Sequence, residues 1–162
     1  MLRLQKRSFV LFGLVALVAL GLGLAQAADG DAPVLQYRQK LMKAQGASMG
    51  SIGDILKYKL PYGSKHIAAH AKNISEFAKL IPDAFEKKIA TGFTDAKPEV
   101  WQNWDDFVAK AKVLEDAGAK LAAAADGGDM KALMPHVKAL GNACKGCHTE
   151  YRKPEEERFE RK

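Results

Sequence analysis

Cysteine is scarce in this chain of 162 residues, which has only Cys144 and Cys147. Structural zinc normally takes four ligands, and no second cysteine pair is present to complete such a site. Thioredoxin-like redox pairs sit in a βαβ context, and no strand pattern surrounds these two residues. Runs of Lys and Arg interleaved with aromatics are also missing, so nucleic acid has no footprint on the chain. There is no low-complexity tract and no self-similar period of the order of 20 to 50 residues, which excludes a solenoid. No acid/base pair or activated nucleophile gathers near the cysteines in sequence, which argues against an enzyme.

What is present is the spacing Cys144-Lys145-Gly146-Cys147-His148. A local disulfide would use the two sulfurs but leave the histidine without a role. Two thiols three residues apart with a histidine directly after the second form the attachment pattern for a c-type haem, in which the sulfurs become thioethers and the imidazole binds iron. The spacing predicts one haem c, covalently bound through Cys144 and Cys147, with His148 as an iron ligand.

Residues 1–27 read as a secretory signal that is cleaved. Arg3, Lys6 and Arg7 form a positive start, Phe9 to Leu24 an apolar run, and Ala25-Gln26-Ala27 a small-residue cleavage site. Export suits covalent haem attachment, so the expected location is the periplasm, with no membrane anchor after cleavage. Removing the segment takes away three cations and no acid, so the formal net charge falls from +6 to +3. That modest charge permits docking to redox partners without specifying one. Residues 28–153 are expected to form one domain, and residues 154–162 a charged, flexible tail.

Four stretches carry helical periodicity. Leu35, Arg38, Met42, Gln45, Met49, Ile52 and Leu56 alternate at spacings of three and four. A buried Arg38 on that stripe needs an anion such as a haem propionate, or the solvent end of a bundle. Pro61 and Gly63 break the first helix. Ser64 is the expected N-cap of a second, with Ile67, His70, Ile74, Phe77 and Ile81 on its inner face and Pro82 closing it. His70 reads as a packing residue or a haem-edge contact, and His66 and His136 as surface or rim residues. Asp83 to Lys97 has no sustained period and reads as a long crossover, with Phe85 and Phe93 packing over a core edge. Pro98-Glu99 opens the third helix. Its stripe contains Trp104, Phe107, Ala111, Leu114, Gly118, Leu121 and Ala125, whose small members either leave room for a bulky group or mark a close helix contact. Asp129 is the expected cap of the fourth, with Met130, Leu133, Val137, Leu140, Cys144, Cys147 and Tyr151 inward. Pro135 should kink that helix or delay its start. The fold class is therefore all-α, an antiparallel four-helix bundle with covalently attached haem c.

His148 settles one side of the iron. Met134 is fourteen residues away on the same helix, about 21 Å, so the other side must be faced from elsewhere. Met42 and Met49 on the first helix are candidates, but they are about 10 Å apart and at most one can reach the iron. Thioether ligation suits electron transfer, whereas an open site would admit small diatomic gases.

With these residues in view, the chain resembles the class II c-type cytochromes, the cytochrome c′ family. The resemblance rests on Tyr37-Arg38-Gln39-Lys40-Leu41-Met42, on Lys97-Pro98-Glu99-Val100-Trp101, and on the haem motif near the C-terminus followed by Tyr151-Arg152. It implies that His148 is the proximal ligand, that Arg152 lies near it, that Arg38 approaches a propionate and that Met42 faces the distal side. Family members either leave the distal site open or fill it with a methionine. The first reading is a periplasmic monohaem electron carrier with His148 and Met42 as ligands, and the second a five-coordinate cytochrome c′ that binds nitric oxide or carbon monoxide. Dimerisation through the first two helices is a further implication of the resemblance.

Overall fold

A computed structural model describes residues 30–58 and 60–159; the secretory signal expected at residues 1–27 lies outside the described residues. The helices are α1 (Ala32–Tyr58), α2 (Ser64–Lys79), α3 (Ile81–Glu86), α4 (Glu99–Gln102), α5 (Trp104–Asp126) and α6 (Met134–Tyr151), followed by a 3₁₀ turn at Glu155–Glu157. Residues from Leu35 onward form one compact unit. The four long helices make the antiparallel bundle, and α3 and α4 are single or double turns built into the connection between α2 and α5. Among the described residues there is no strand, only an isolated antiparallel bridge between Ala96 and Arg152.

The apolar periodicity becomes one core. Ile52 and Ile55 of α1, Ile67, Ala71 and Ile74 of α2, Phe107, Leu114 and Leu121 of α5 and Leu140 and Tyr151 of α6 are buried together. On α1 the buried face runs through Leu35, Arg38, Leu41, Gln45, Ser48, Ile52 and Ile55. It is turned from the expected stripe, so that Met42, Met49 and Leu56 fall at its half-buried margin.

Several boundaries differ from expectation, each for a local reason. Ser64 is not the N-cap of α2. Gly63 occupies that position with extended backbone and no capping side chain. Pro82 does not simply close α2, which ends at Lys79; it stands in the first turn of α3, where its missing N–H is not needed. The expected crossover from Asp83 therefore begins with helix, and Ile81, Ala84 and Phe85 are buried from it. Pro98-Glu99 opens only the one-turn α4, because Asn103 (φ −118°, ψ 49°) leaves helical geometry before α5 begins. Asp129 Oδ1 accepts a hydrogen bond from the Lys131 N–H at 2.9 Å and so organises the turn before α6 rather than capping it. Regular helix starts at Met134, which puts Pro135 in the first turn and delays the helix instead of kinking it.

Gly118 marks a close helix contact, not room for a bulky group. A Cβ there would lie 2.9 Å from both the Ala71 carbonyl oxygen and the Ser75 nitrogen, so α2 and α5 touch backbone to backbone at this level.

One end of the bundle is tied together by side chains. Arg38 is 3% exposed. It donates from Nε to the Ala84 carbonyl at 2.7 Å, from one terminal nitrogen to Ile89 at 3.3 Å, and from the other to Lys87. These are the carbonyls at and beyond the end of α3, where no intrahelical donor remains. Its guanidinium also lies 4.6 Å from the Phe85 ring centroid and 5.6 Å from that of Trp101. The Trp101 indole donates to the Phe85 carbonyl at 2.7 Å. From the other side the Lys97 N–H donates to Tyr151 O at 3.0 Å, and the Tyr151 hydroxyl donates to the Asp106 carboxylate. Beyond α6, Phe159 stacks on Phe93 at 4.6 Å, and its N–H donates to Asp95 Oδ1 at 3.0 Å. The segment expected to be a free tail is thus held to the crossover as far as Phe159.

Three substitutions test this packing by thermal unfolding of the haem-loaded protein. Gly118→Ala gains about 1 kcal/mol of helix propensity but forces backbone apart, and overpacking typically costs about 1–3 kcal/mol; a net loss of stability is expected. Arg38→Leu leaves three carbonyls without a donor, each worth about 1–3 kcal/mol. It should destabilise more than Gly118→Ala, with Arg38→Lys intermediate because an ammonium lacks the planar fork.

Candidate haem site

The site is built on the last three turns of α6. Leu140 is fully buried and Tyr151 is 4% exposed, while Cys144 and Cys147 between them are only half-buried, packed against the core margin. Coverage along this stripe therefore lapses at the two cysteines. Their spacing of three puts both sulfurs on one helix face, one turn apart. Burial raises the Cys144 thiol above its ordinary value and pushes that of Cys147 up to about 11, so both are neutral thiols at pH 7.

His148 follows directly, on the more exposed side. Partial desolvation, and then the nearby Arg152 and Arg158 cations, hold its imidazole below the usual value. A neutral ring nitrogen is the form that binds a metal. Arg152 and His148 line one cleft, and the Arg152 N–H closes α6 by donating to the His148 carbonyl at 3.2 Å.

Across from α6, α1 carries the other predicted residues. Met42 is half-buried against the core. Met49 is seven residues further on and packs toward α6, its Cε 3.9 Å from where a Cβ on Gly141 would stand. Arg38 lies one turn before Met42, but its guanidinium is engaged with the α3 carbonyls, a different use from the propionate contact implied by resemblance. His66 and His70 are half-buried on α2, and the Nδ1 of each is buried without a partner.

Gln45 stood in the sequence only as a polar member of the α1 stripe. It is 8% exposed, and its Nε2 is a buried donor with no hydrogen-bond partner. It lies three residues after Met42, on the buried face of α1. A buried amide donor of this kind calls for an acceptor, and a porphyrin carboxylate is one. Two half-buried thiols on one face, a neutral imidazole directly after them and a donor awaiting an acceptor fit a covalently held haem. Among the described residues there is no cluster of three or more His, Cys, Asp or Glu that could hold a bare metal ion.

A family model described as Cytochrome C′ matches residues 33–152. The chain belongs to the cytochrome c′ family. It is 35% identical over 149 residues to cytochrome c′ of Rhodospirillum rubrum, covering 91% of this chain and 99% of that one. Among solved structures, cytochrome c prime from Shewanella frigidimarina superposes with a TM-score of 0.70 at 30% identity, covering 76% of this chain and 96% of its own. A nitric oxide complex of a variant cytochrome c prime from Alcaligenes xylosoxidans gives 0.66 at 31% identity, covering 76% and 95%. Like its family, the protein is a monohaem c-type cytochrome, and the two cysteines are those of its single haem c motif.

Covalent attachment has a direct check. Haem should stay with the wild-type chain through denaturation and acid–ketone extraction, as read by mass spectrometry. In Cys144→Ala/Cys147→Ala it should be extracted completely; haem retained by that double variant would contradict the assignment.

Proposed function

We propose that this cytochrome is a periplasmic electron carrier whose haem iron is bound by His148 and Met42. Bound at Cys144 and Cys147, the haem supplies a one-electron redox centre, with a potential raised by a thioether ligand.

The observation that carries the reading is a register. Helices α1 and α6 are antiparallel, and Met49 of α1 meets α6 at Gly141. Seven residues back along α1 is Met42, and seven forward along α6 is His148. Both steps are two helical turns, about 10 Å in the same direction, and return to nearly the same helix face. By this register Met42 falls near the level of His148 along the bundle, two turns from the Met49–Gly141 contact. Met42 and Met49 both pack at the core margin, and of the two Met42 is the one that this register sets near the level of His148. Arg38 supports this by fixing α1 one turn away. No helix among the described residues is long and apolar enough to cross a membrane.

The second reading is a five-coordinate gas-binding protein, favoured by the relative from Alcaligenes xylosoxidans whose solved structure holds nitric oxide. Optical and electron paramagnetic resonance spectra of the ferric protein separate the two. A low-spin spectrum that turns high-spin in Met42→Ala, and stays low-spin in Met49→Ala, is expected. A high-spin spectrum already in the wild type, unchanged by Met42→Ala, would overturn methionine ligation and favour gas binding.

A further inference from the structure

The last turns of α6 separate two open clefts of opposite charge. One, of about 460 Å³, is lined by His148 and Thr149 together with Lys97, Lys145, Arg152, Lys153 and Arg158, and by no carboxylate. The other, of about 580 Å³, is lined by Asp105, Asp106 and Glu150 with Lys110 as its single cation. Lys110 is itself engaged, 3.6 Å from Asp106 and 3.4 Å from Glu150.

The cationic side is held in shape. Lys153 Nζ donates to the Thr94 carbonyl at 3.0 Å, and Arg158 Nε donates to the Lys153 carbonyl at 3.1 Å. The Ala96–Arg152 bridge joins the crossover, and with it Lys97, to the end of α6. Arg152 Nε is buried and lacks an acceptor. Glu150, two residues before Arg152, lines the opposite cleft, and Glu155 to Glu157 are exposed beyond Pro154 and do not line this one. Five like charges brought together around one opening focus a positive potential on it, and that potential attracts an anionic surface. An oppositely charged cleft across one helix gives the face a direction: a partner rotated by half a turn would set acid against acid.

We propose that the cationic cleft beside His148 is the docking face for an acidic redox protein, oriented by the acidic cleft on the other side of α6. The inference rests on the electron-carrier reading and adds where electrons leave and what kind of surface receives them. In the test reaction the reduced cytochrome gives one electron to hexacyanoferrate(III), forming hexacyanoferrate(II), with no bond made or broken.

The experiment is stopped-flow oxidation of the haem-loaded protein by this anionic oxidant, and by tris(phenanthroline)cobalt(III) as a cationic one. At low salt, Lys97→Glu/Lys145→Glu should slow the anionic oxidant by about tenfold or more and speed the cationic one. Lys97→Gln/Lys145→Gln should fall between, and the difference should vanish at high ionic strength. Lys120→Glu/Lys138→Glu changes net charge equally at exposed sites on α5 and α6 outside the cleft and should leave both rates within about twofold. Equal effects from the two Glu pairs, or none from the cleft pair, would overturn the proposal. At fixed ionic strength polyglutamate should inhibit at far lower carboxylate concentration than inorganic phosphate does; equal inhibition would replace the docking face with a small-anion site. Failure of the electron-carrier reading is visible separately, as a wild-type ferric spectrum that is high-spin and unchanged by Met42→Ala.

Discussion

A buried guanidinium hydrogen-bonded to three backbone carbonyls holds the haem end of this bundle together. Burying the Arg38 charge costs several kcal/mol. Three charge-assisted hydrogen bonds to the carbonyls of Ala84, Lys87 and Ile89, at about 1.5–3 kcal/mol each, together with the Phe85 and Trp101 rings, are of the size needed to offset it. The arrangement is asymmetric: losing any one partner leaves a charge or a carbonyl stranded. Through it the first helix is tied to the crossover, the crossover to α4 by the Trp101–Phe85 bond, and α4 to the end of α6 by Lys97 and Tyr151. The thiols and His148 ride on the last link of this chain of contacts.

That chain also gives physical meaning to the three sequence blocks that resemble the cytochrome c′ family. Tyr37 to Met42, Lys97 to Trp101 and Tyr151-Arg152 are far apart in sequence, yet they supply the clamp, its aromatic wall and its anchor at one end of the bundle. Haem attachment was legible from five residues because thioether and imidazole chemistry demands that spacing. The four long helices were legible because an apolar stripe with a period near 3.6 lines up on one side of a helix and scatters over both faces of a strand.

The rest was hidden for specific reasons. A stripe defines a face only to within about one residue's rotation, so Leu41 and Ser48 were missed as buried, and Met42 and Met49 appeared central when they stand at the margin. Proline was read as a terminator at Pro82, which sits in the first turn of a new helix, and of the kink or delay read at Pro135 the structure has the delay; the sequence signature is the same in either place. Arg38 was recognised as needing an anion or solvent, but backbone carbonyls beyond a short helix carry no sequence signal. Gly118 could be read two ways until Ala71 and Ser75 were found against it.

The marginal placement of the methionines has a consequence for the iron. A ligand drawn from the centre of a core face would have to leave a packed environment, with the loss of contacts that implies. Met42, half-buried at the margin of α1 and near the level of His148, has a flexible side chain and less packing to lose. Met49 is its counterpart two turns away, covering Gly141 where α6 has no side chain of its own. In the proposed reading the same helix offers two methionines with separate tasks: one packs where α6 has a glycine, and the other serves the iron. Arg38, one turn before Met42, is held to the carbonyls of Ala84, Lys87 and Ile89, and Met49, two turns after it, packs at Gly141, so α1 is fastened on both sides of Met42.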